Sequence, residues 1–252
     1  MTLTPMMKQY MEMKEKYKDY ILFFRLGDFY EMFFEDAKTA ARELELVLTG
    51  RDCGLKERAP MCGIPYHAAN SYVGRLINKG YKIAICEQLE DPALAKGLVK
   101  RGIIKLITPG TYTDSTFLEE NKNNYIMCLY IDKNENSALC FADISTGEFD
   151  CTDTPFDLSI IMDEISKYSP KEILVQEDIE SSLLSKIKEF FNGSITKLNM
   201  DYFSQNVEKI LKGQFADFNP REYKIETMKC CSSLLKYIHE TQKTNFSHIN
   251  KL

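Results

Sequence analysis

The sequence predicts an α/β (α+β) chain of two domains: a small mixed-sheet domain, then one in which a strand meander leads into alternating helices and strands. Three features point there. Residues 20–24 (YILFF) and 125–131 (YIMCLYI) are apolar runs of strand length, rich in aromatic and β-branched side chains. Stretches with helical spacing lie between and after them. The polar, turn-rich TPGTYTDSTFLEENKNN at 108–124 divides two regions of different pattern. With 252 residues the chain can hold one large or two ordinary domains. Residues 1–115 are assigned to the first, 116–235 to the second, and 236–252 to the start of a linker or helix leading onward.

Thr4-Pro5 reads as an N-cap with proline at the first helical position, and Met6, Tyr10, Met13 and Tyr17 follow at helical spacing. Residues 20–24 and 29–33 flank Gly27-Asp28, which fits a two-residue hairpin loop with glycine first. A helix opens at Asp36 and presents Ala37, Ala40, Ala41 and Leu44 as a narrow apolar stripe. TGRDCGLKERAPMCGIPYH (49–67) is dense in glycine, proline and charge, and is read as a long functional loop. A helix over 68–78 stops at Gly80, and strands at 81–86 and 102–107 complete the first domain. Beyond the boundary, 125–131, 138–144 and 147–151 read as three antiparallel strands. Helices at 156–168, 182–191 and 203–212 alternate with strands at 172–175 and 194–198. Three antiparallel strands followed by αβαβα is the order of a ribonuclease-H-like fold. The tail, CCSSLLKYIHETQKTNFSHINKL, is helical in pattern, yet Leu234, Leu235 and Ile238 have no evident surface to cover. The chain therefore reads as a piece of something longer.

Apolar residues at 44% and charged residues at 27% are those of an ordinary globular protein. No apolar stretch is long enough to span a bilayer, and the N-terminus lacks the apolar core of a signal peptide. The expectation is a cytoplasmic protein, nucleoid-associated in a bacterium, with no membrane partner. Eight scattered cysteines without a C-x-x-C pair suit a reducing compartment, and His67, His239 and His248 are too widely spaced for a structural zinc site. The net charge of −5 argues mildly against a nucleic-acid partner, but its distribution matters more. Residues 1–120 carry 17 basic and 17 acidic side chains, and within them KGLVKRGIIK (96–105) holds Lys96, Lys100, Arg101 and Lys105 with no acid. A second acid-free stretch, 58–82, holds Arg58, Arg75, Lys79 and Lys82. A basic surface on a neutral domain is one reading, and a solvated strand edge is the blander one.

No phosphate-binding or dinucleotide loop is present, so no cofactor is assigned to these residues. Asp143 and Glu148 in ADISTGEF are the pair that a metal-dependent nuclease or resolvase would need. The commoner explanation is a pair of acids lining a hairpin turn. The pair Phe29 and Glu31 in RLGDFYEMFF is more informative. On a helix the two would point about 200° apart, whereas on a strand they share one face. Tyr30 and Met32 then supply the buried face, leaving an exposed ring beside a carboxylate. That arrangement suits an apolar wedge entering a base step from the minor groove, with a hydrogen-bonding companion.

TPMMKQYMEMK, FFRLGDFYEMFFEDA, PMCGIPYHA, AICEQLEDP and LITPGT resemble, in this order, the N-terminal signatures of the bacterial MutS family of DNA mismatch-recognition proteins. The likeness covers at least residues 4–111, and FADISTGEF resembles the start of that family's connector domain. Phe29-Tyr30-Glu31 sets the chain apart from the branch that lacks the mismatch-reading domain. The resemblance implies a mismatch-recognition domain followed by a ribonuclease-H-like connector. It implies that Phe29 stacks on a mispaired base while Glu31 hydrogen-bonds to it, and that Arg51, Met61 and Arg101 contact DNA. Lys100 and Lys105 join them by charge alone. Gly50 departs from relatives that carry a further basic residue there. The implied ligand is duplex DNA with mispairs or small insertion/deletion loops. The implied full-length parent is a homodimeric ATPase using ATP and Mg²⁺, with a MutL-type partner on the connector. The fragment itself is expected to be monomeric and non-catalytic.

Overall fold

The computed structural model describes residues 2–91, 97–113, 123–242 and 248–252. The chain divides into two compact units, Met1–Thr108 and Pro109–Leu252. The boundary expected at 115/116 lies outside the described residues.

The first unit contains α1 (Pro5–Lys16), β1 (Tyr20–Leu26), β2 (Phe29–Phe33), α2 (Phe34–Leu44), β3 (Thr49–Arg51), β4 (Ala59–Pro65), α3 (Ala69–Asn78), β5 (Lys82–Gln88) and β6 (Arg101–Ile107). Its sheet runs β3-β4-β2-β1-β5-β6, with only β1 and β5 parallel. Thr4 caps α1, its hydroxyl accepting the Met7 N–H at 3.4 Å. Gly80 takes the left-handed conformation (φ 84°) just past α3, and its N–H returns to the Ile77 carbonyl. The supposed loop at 49–67 contains β3 and β4, and β4 lies in the sheet interior between β3 and β2. Pro60, Gly63 and Pro65 hid it, because proline and glycine normally mark the edge or end of a strand. Ala59, Cys62 and Ile64 are nevertheless buried, and pairing on both sides outweighs the weak local propensity.

Both faces of this sheet are covered. Leu22, Phe24, Phe33, Ala84 and Cys86 pack with Met7 and Tyr10 of α1. The alternate residues, among them Phe23, Tyr30, Met32 and Ile83, are buried on the other face, as is the alanine stripe of α2. Asp36 anchors α1 to β1: it accepts from the Tyr10 hydroxyl (3.1 Å) and the Leu22 N–H (3.0 Å) and pairs with Lys14 at 2.9 Å.

The second unit contains β7 (Tyr125–Ile131), β8 (Asn136–Asp143), β9 (Glu148–Pro155), α4 (Leu158–Tyr168), β10 (Glu172–Gln176), α5 (Ser181–Phe190), β11 (Ser194–Leu198), α6 (Asp201–Ser204), α7 (Val207–Gln214) and α8 (Ile225–Gln242). Its sheet order is β11-β10-β7-β8-β9, an antiparallel meander extended by two parallel strands on its first member. This is the ribonuclease-H-like arrangement expected from the element order. The single helix expected at 203–212 is two, α6 and α7, broken where Asn206 takes a left-handed conformation (φ 57°). α4 and α5 cover one sheet face and α8 the other. Leu234, Leu235 and Ile238 are therefore core residues, at most 1% exposed, and α8 runs unbroken past residue 236. Beneath α8, Cys128, Cys140 and Cys151 stand in register on three adjacent strands. All eight cysteines are free. No described helix is long and apolar enough to cross a membrane.

Candidate nucleic-acid interface

The β1–β2 hairpin turns through Gly27 in the left-handed region (φ 57°), where glycine carries no Cβ penalty. Pairing places Phe29 opposite Leu26 and Glu31 opposite Phe24. Phe29 is 47% exposed, Tyr30 and Met32 are buried, and Glu31 is half-buried, as period-two alternation requires. The outward face is open only at its tip. Phe33, two residues beyond Glu31, is wholly buried in edge-to-face contact with Tyr10, ring centroids 5.0 Å apart. On the other flank β4 sets Pro65 opposite Phe29 and Gly63 opposite Glu31. A Cβ on Gly63 would sit 3.5 Å from Glu31 Cγ and 3.9 Å from Phe29 Cδ1, so the glycine leaves the floor beside both residues bare.

Arg51 reaches from edge strand β3 across β4, and its Nη1 donates to Glu31 Oε2. Two residues that the sequence suggests as separate contacts are thus one ion pair in the free protein. Arg101 comes from the opposite edge, β6. Its guanidinium lies over the Phe24 ring at 5.0 Å and donates to the carbonyls of Arg25 (2.9 Å) and Val99 (3.0 Å) and to Gln9 Oε1 (3.0 Å). Burial lowers its pKa, and the nearby positive charge of Arg51 adds to that. Arg101 is therefore a clamp on the hairpin and α1 as well as a cation near the tip. Gln9, which no sequence pattern singles out, is part of that clamp.

Met61 lies on β4 opposite Phe33, half-buried on the same face. Lys100 is exposed just before β6, and its backbone N–H donates to Glu90 Oε1 at 2.7 Å. Lys105 is also exposed, but it pairs with Ile85, and alternation puts it on the face opposite Phe29. Phe29, Glu31, Arg51, Met61 and Arg101 are thus brought to one face and Lys105 is not. Lys96 lies outside the described residues.

The carboxylates of the nuclease alternative line a turn. Asp143 is fully buried, its Oδ2 accepting the Asn124 N–H (2.9 Å) and its Oδ1 the Ser145 N–H (2.8 Å) and hydroxyl (2.6 Å). Glu148 accepts the Tyr125 hydroxyl at 2.6 Å, and burial together with that carboxylate pushes the Tyr125 pKa up to about 12. Among the described residues no group of three His, Cys, Asp or Glu side chains could hold a metal ion.

Residues 4–116 match the family described as MutS domain I, and residues 124–250 match MutS domain II. The chain belongs to the MutS family. A relative called DNA mismatch repair protein MutS, from Clostridium kluyveri, is 70% identical over the whole of this chain, which spans 29% of that relative. One of the same name from Clostridium botulinum is 64% identical over the whole chain, which spans 27% of it. The chain thus covers less than a third of the relatives it matches. The hairpin of the first unit and the sheet of the second lie within the two matched stretches.

Proposed function

We propose that this chain acts in DNA mismatch repair, as the segment of a longer MutS-family protein that detects mispaired or unpaired bases in duplex DNA. The observation that carries the reading is the half-exposed Phe29 ring at the hairpin tip, with Glu31 beside it and Arg51 and Arg101 converging from opposite sheet edges. Recognition is a test of deformability. Opening a base step for an aromatic wedge costs a few kcal/mol of unstacking. A mispair has already lost part of its pairing, so it opens and bends more cheaply. A saving of ~2 kcal/mol gives discrimination on the order of 30-fold. The wedge accepts many mispairs because every base offers a π face. Lys100 and Arg101 hold backbone phosphates without reading sequence, Arg51 stands at the same DNA-facing surface paired to Glu31, and Met61 lines that face farther along β4, opposite Phe33. Lys105 reaches DNA only if the duplex wraps the β6 edge.

In the longer protein, the first domain (residues 1–115) reads the duplex, and the second (116–235) passes the state of the remaining domains to it and receives a MutL-type partner. The parent works as a cytoplasmic homodimer. ATP and Mg²⁺ belong to that parent: these residues contain no phosphate-binding loop to hold them. Matched, single-mispair and small-loop duplexes titrated at fixed salt with wild-type protein and Phe29→Ala test the reading. The wild type should prefer the two damaged duplexes, and Phe29→Ala should lose roughly 1–3 kcal/mol of that preference, the value of one base–aromatic stack. Equal affinity of the wild type for all three, or no DNA binding at all, would replace the reading with that of a protein–protein adaptor.

A further inference from the structure

On the back of the hairpin, opposite Phe29, lies a cluster of side chains that take no part in the DNA-facing surface. Arg25 stands across from Tyr30 in the β1–β2 ladder. Its guanidinium carbon is 3.7 Å from the centre of the Tyr66 ring and 5.6 Å from that of Tyr30. Its Nε donates to the Gly27 carbonyl and its Nη1 meets Glu87 Oε1 at 3.2 Å. The Tyr30 hydroxyl donates to the same Glu87 oxygen, and burial together with that carboxylate raises the Tyr30 pKa. Tyr66 closes the cluster through its backbone N–H, which donates to the Asp28 carbonyl at 3.0 Å. Both loop residues are thus held from behind, Gly27 by the Arg25 side chain and Asp28 by the Tyr66 amide. The Tyr66 ring is 43% exposed, so it does little to fill the core.

We propose that Arg25, Tyr66 and Glu87 form a brace that keeps Phe29 rigid while it is pressed into a base step, which makes them positioning residues for mispair discrimination. The inference rests on the reading of Phe29 as a wedge. Arg25 and Leu26 extend past the β1–β5 register, which ends at Phe24, and a base stack pushes back on the tip that opens it. If the tip gives way, stiff and soft steps are probed alike, and the difference between matched and mispaired DNA goes unread. A brace therefore changes the ratio of the two affinities more than either affinity's common part. Its members come from three separate stretches, FFRLGDFYE, GIPYHA and AICEQLEDP, which meet only in the folded domain.

The test uses the full-length protein, with matched and single-mispair duplexes titrated at one salt concentration against Tyr66→Leu, Tyr66→Phe, Arg25→Lys and Phe29→Ala. Thermal unfolding and hydrogen exchange at the Tyr66 amide are followed in parallel. Tyr66→Leu should lower the mispaired-to-matched affinity ratio roughly fivefold, the size of one cation–π contact. Arg25→Lys should do the same, because an ammonium cannot stack on the ring and bridge Gly27 and Glu87 together. Tyr66→Phe should keep the wild-type ratio, since the ring face makes the contact. Exchange at residue 66 should accelerate in Tyr66→Leu and Arg25→Lys while the unfolding midpoint stays in place. If Phe29→Ala abolishes the preference but Tyr66→Leu and Arg25→Lys preserve it, the brace is wrong and the wedge stands. If Phe29→Ala itself changes nothing, the wedge reading and the brace fall together. Equal losses on both duplexes, or a lowered midpoint, would make the cluster ordinary scaffold and overturn the proposal.

Discussion

Replacing Glu31 by alanine should tighten binding to matched duplex, and the gain should come in two separable parts. The first is the removal of like-charge repulsion. A carboxylate ~7 Å from a phosphate, at an effective dielectric of ~20–80, is repelled by roughly 0.6–2.4 kcal/mol. The free protein blunts this term, because the Glu31 side chain is only 15% exposed and is paired to Arg51, itself 39% exposed. A half-exposed pair of this kind contributes about 0–1 kcal/mol to stability, so losing it should leave the fold intact. The second part is the release of Arg51. Once unpaired, it can neutralise a further phosphate, which steepens the slope of log K against log salt by about 0.9. The assay is a salt series of matched-duplex titrations on wild type, Glu31→Ala, Arg51→Ala and the double variant. Glu31→Ala should bind matched duplex about fivefold more tightly, a gain of ~1 kcal/mol, with the steeper slope and a smaller mismatch preference. In the Arg51→Ala background the same substitution should still tighten binding, but with no change of slope. An unchanged slope in the single variant would mean that Arg51 is not set free. Weaker mismatch binding with matched binding untouched would make Glu31 a plain attractive contact and end the repulsion argument.

Phe29→Ala should leave the unfolding midpoint near wild type, because the ring lies outside the core; a drop in denaturation experiments as large as for a buried phenylalanine, about 3–5 kcal/mol, would place it inside. Arg101→Ala should weaken matched and mispaired binding alike and also destabilise the first domain by roughly 1–3 kcal/mol, since it removes the donor from two partly buried carbonyls and Gln9. Lys100→Ala should give the first effect without the second, which paired titrations and urea melts would separate. Asp143→Ala should cost roughly 3 kcal/mol of second-domain stability, because the Asn124 and Ser145 donors lose their acceptor. An unchanged urea midpoint would show that solvent or a neighbour replaces it.

What was legible in the sequence was what short-range physics controls. The hairpin followed from a glycine able to turn left-handed between two apolar runs. The outward Phe29 and Glu31 followed from alternation, and the second sheet from its meander and the αβ repeats after it. β4 escaped because a strand with two prolines and a glycine has poor local propensity and exists through pairing on both sides. The partner surface of α8 is invisible in the sequence because the sheet face it covers is built from β7 and β8, about a hundred residues earlier in the chain; Cys230 Sγ, for instance, bonds the Cys128 carbonyl. The charge arrangement is non-local in the same way. Arg51 meets Glu31 across 20 residues, Arg101 reaches Arg25 across 76, and Arg25 meets Glu87 across 62. By itself the sequence determined which side chains face outward at the tip and that basic residues lie in acid-free stretches. Only the tertiary structure decided that Glu31 is already paired, that Arg101 is clamped, and that Lys105 faces away. Side-chain direction along a strand depends on immediate neighbours, whereas ion pairing and bracing depend on which strands the sheet sets side by side.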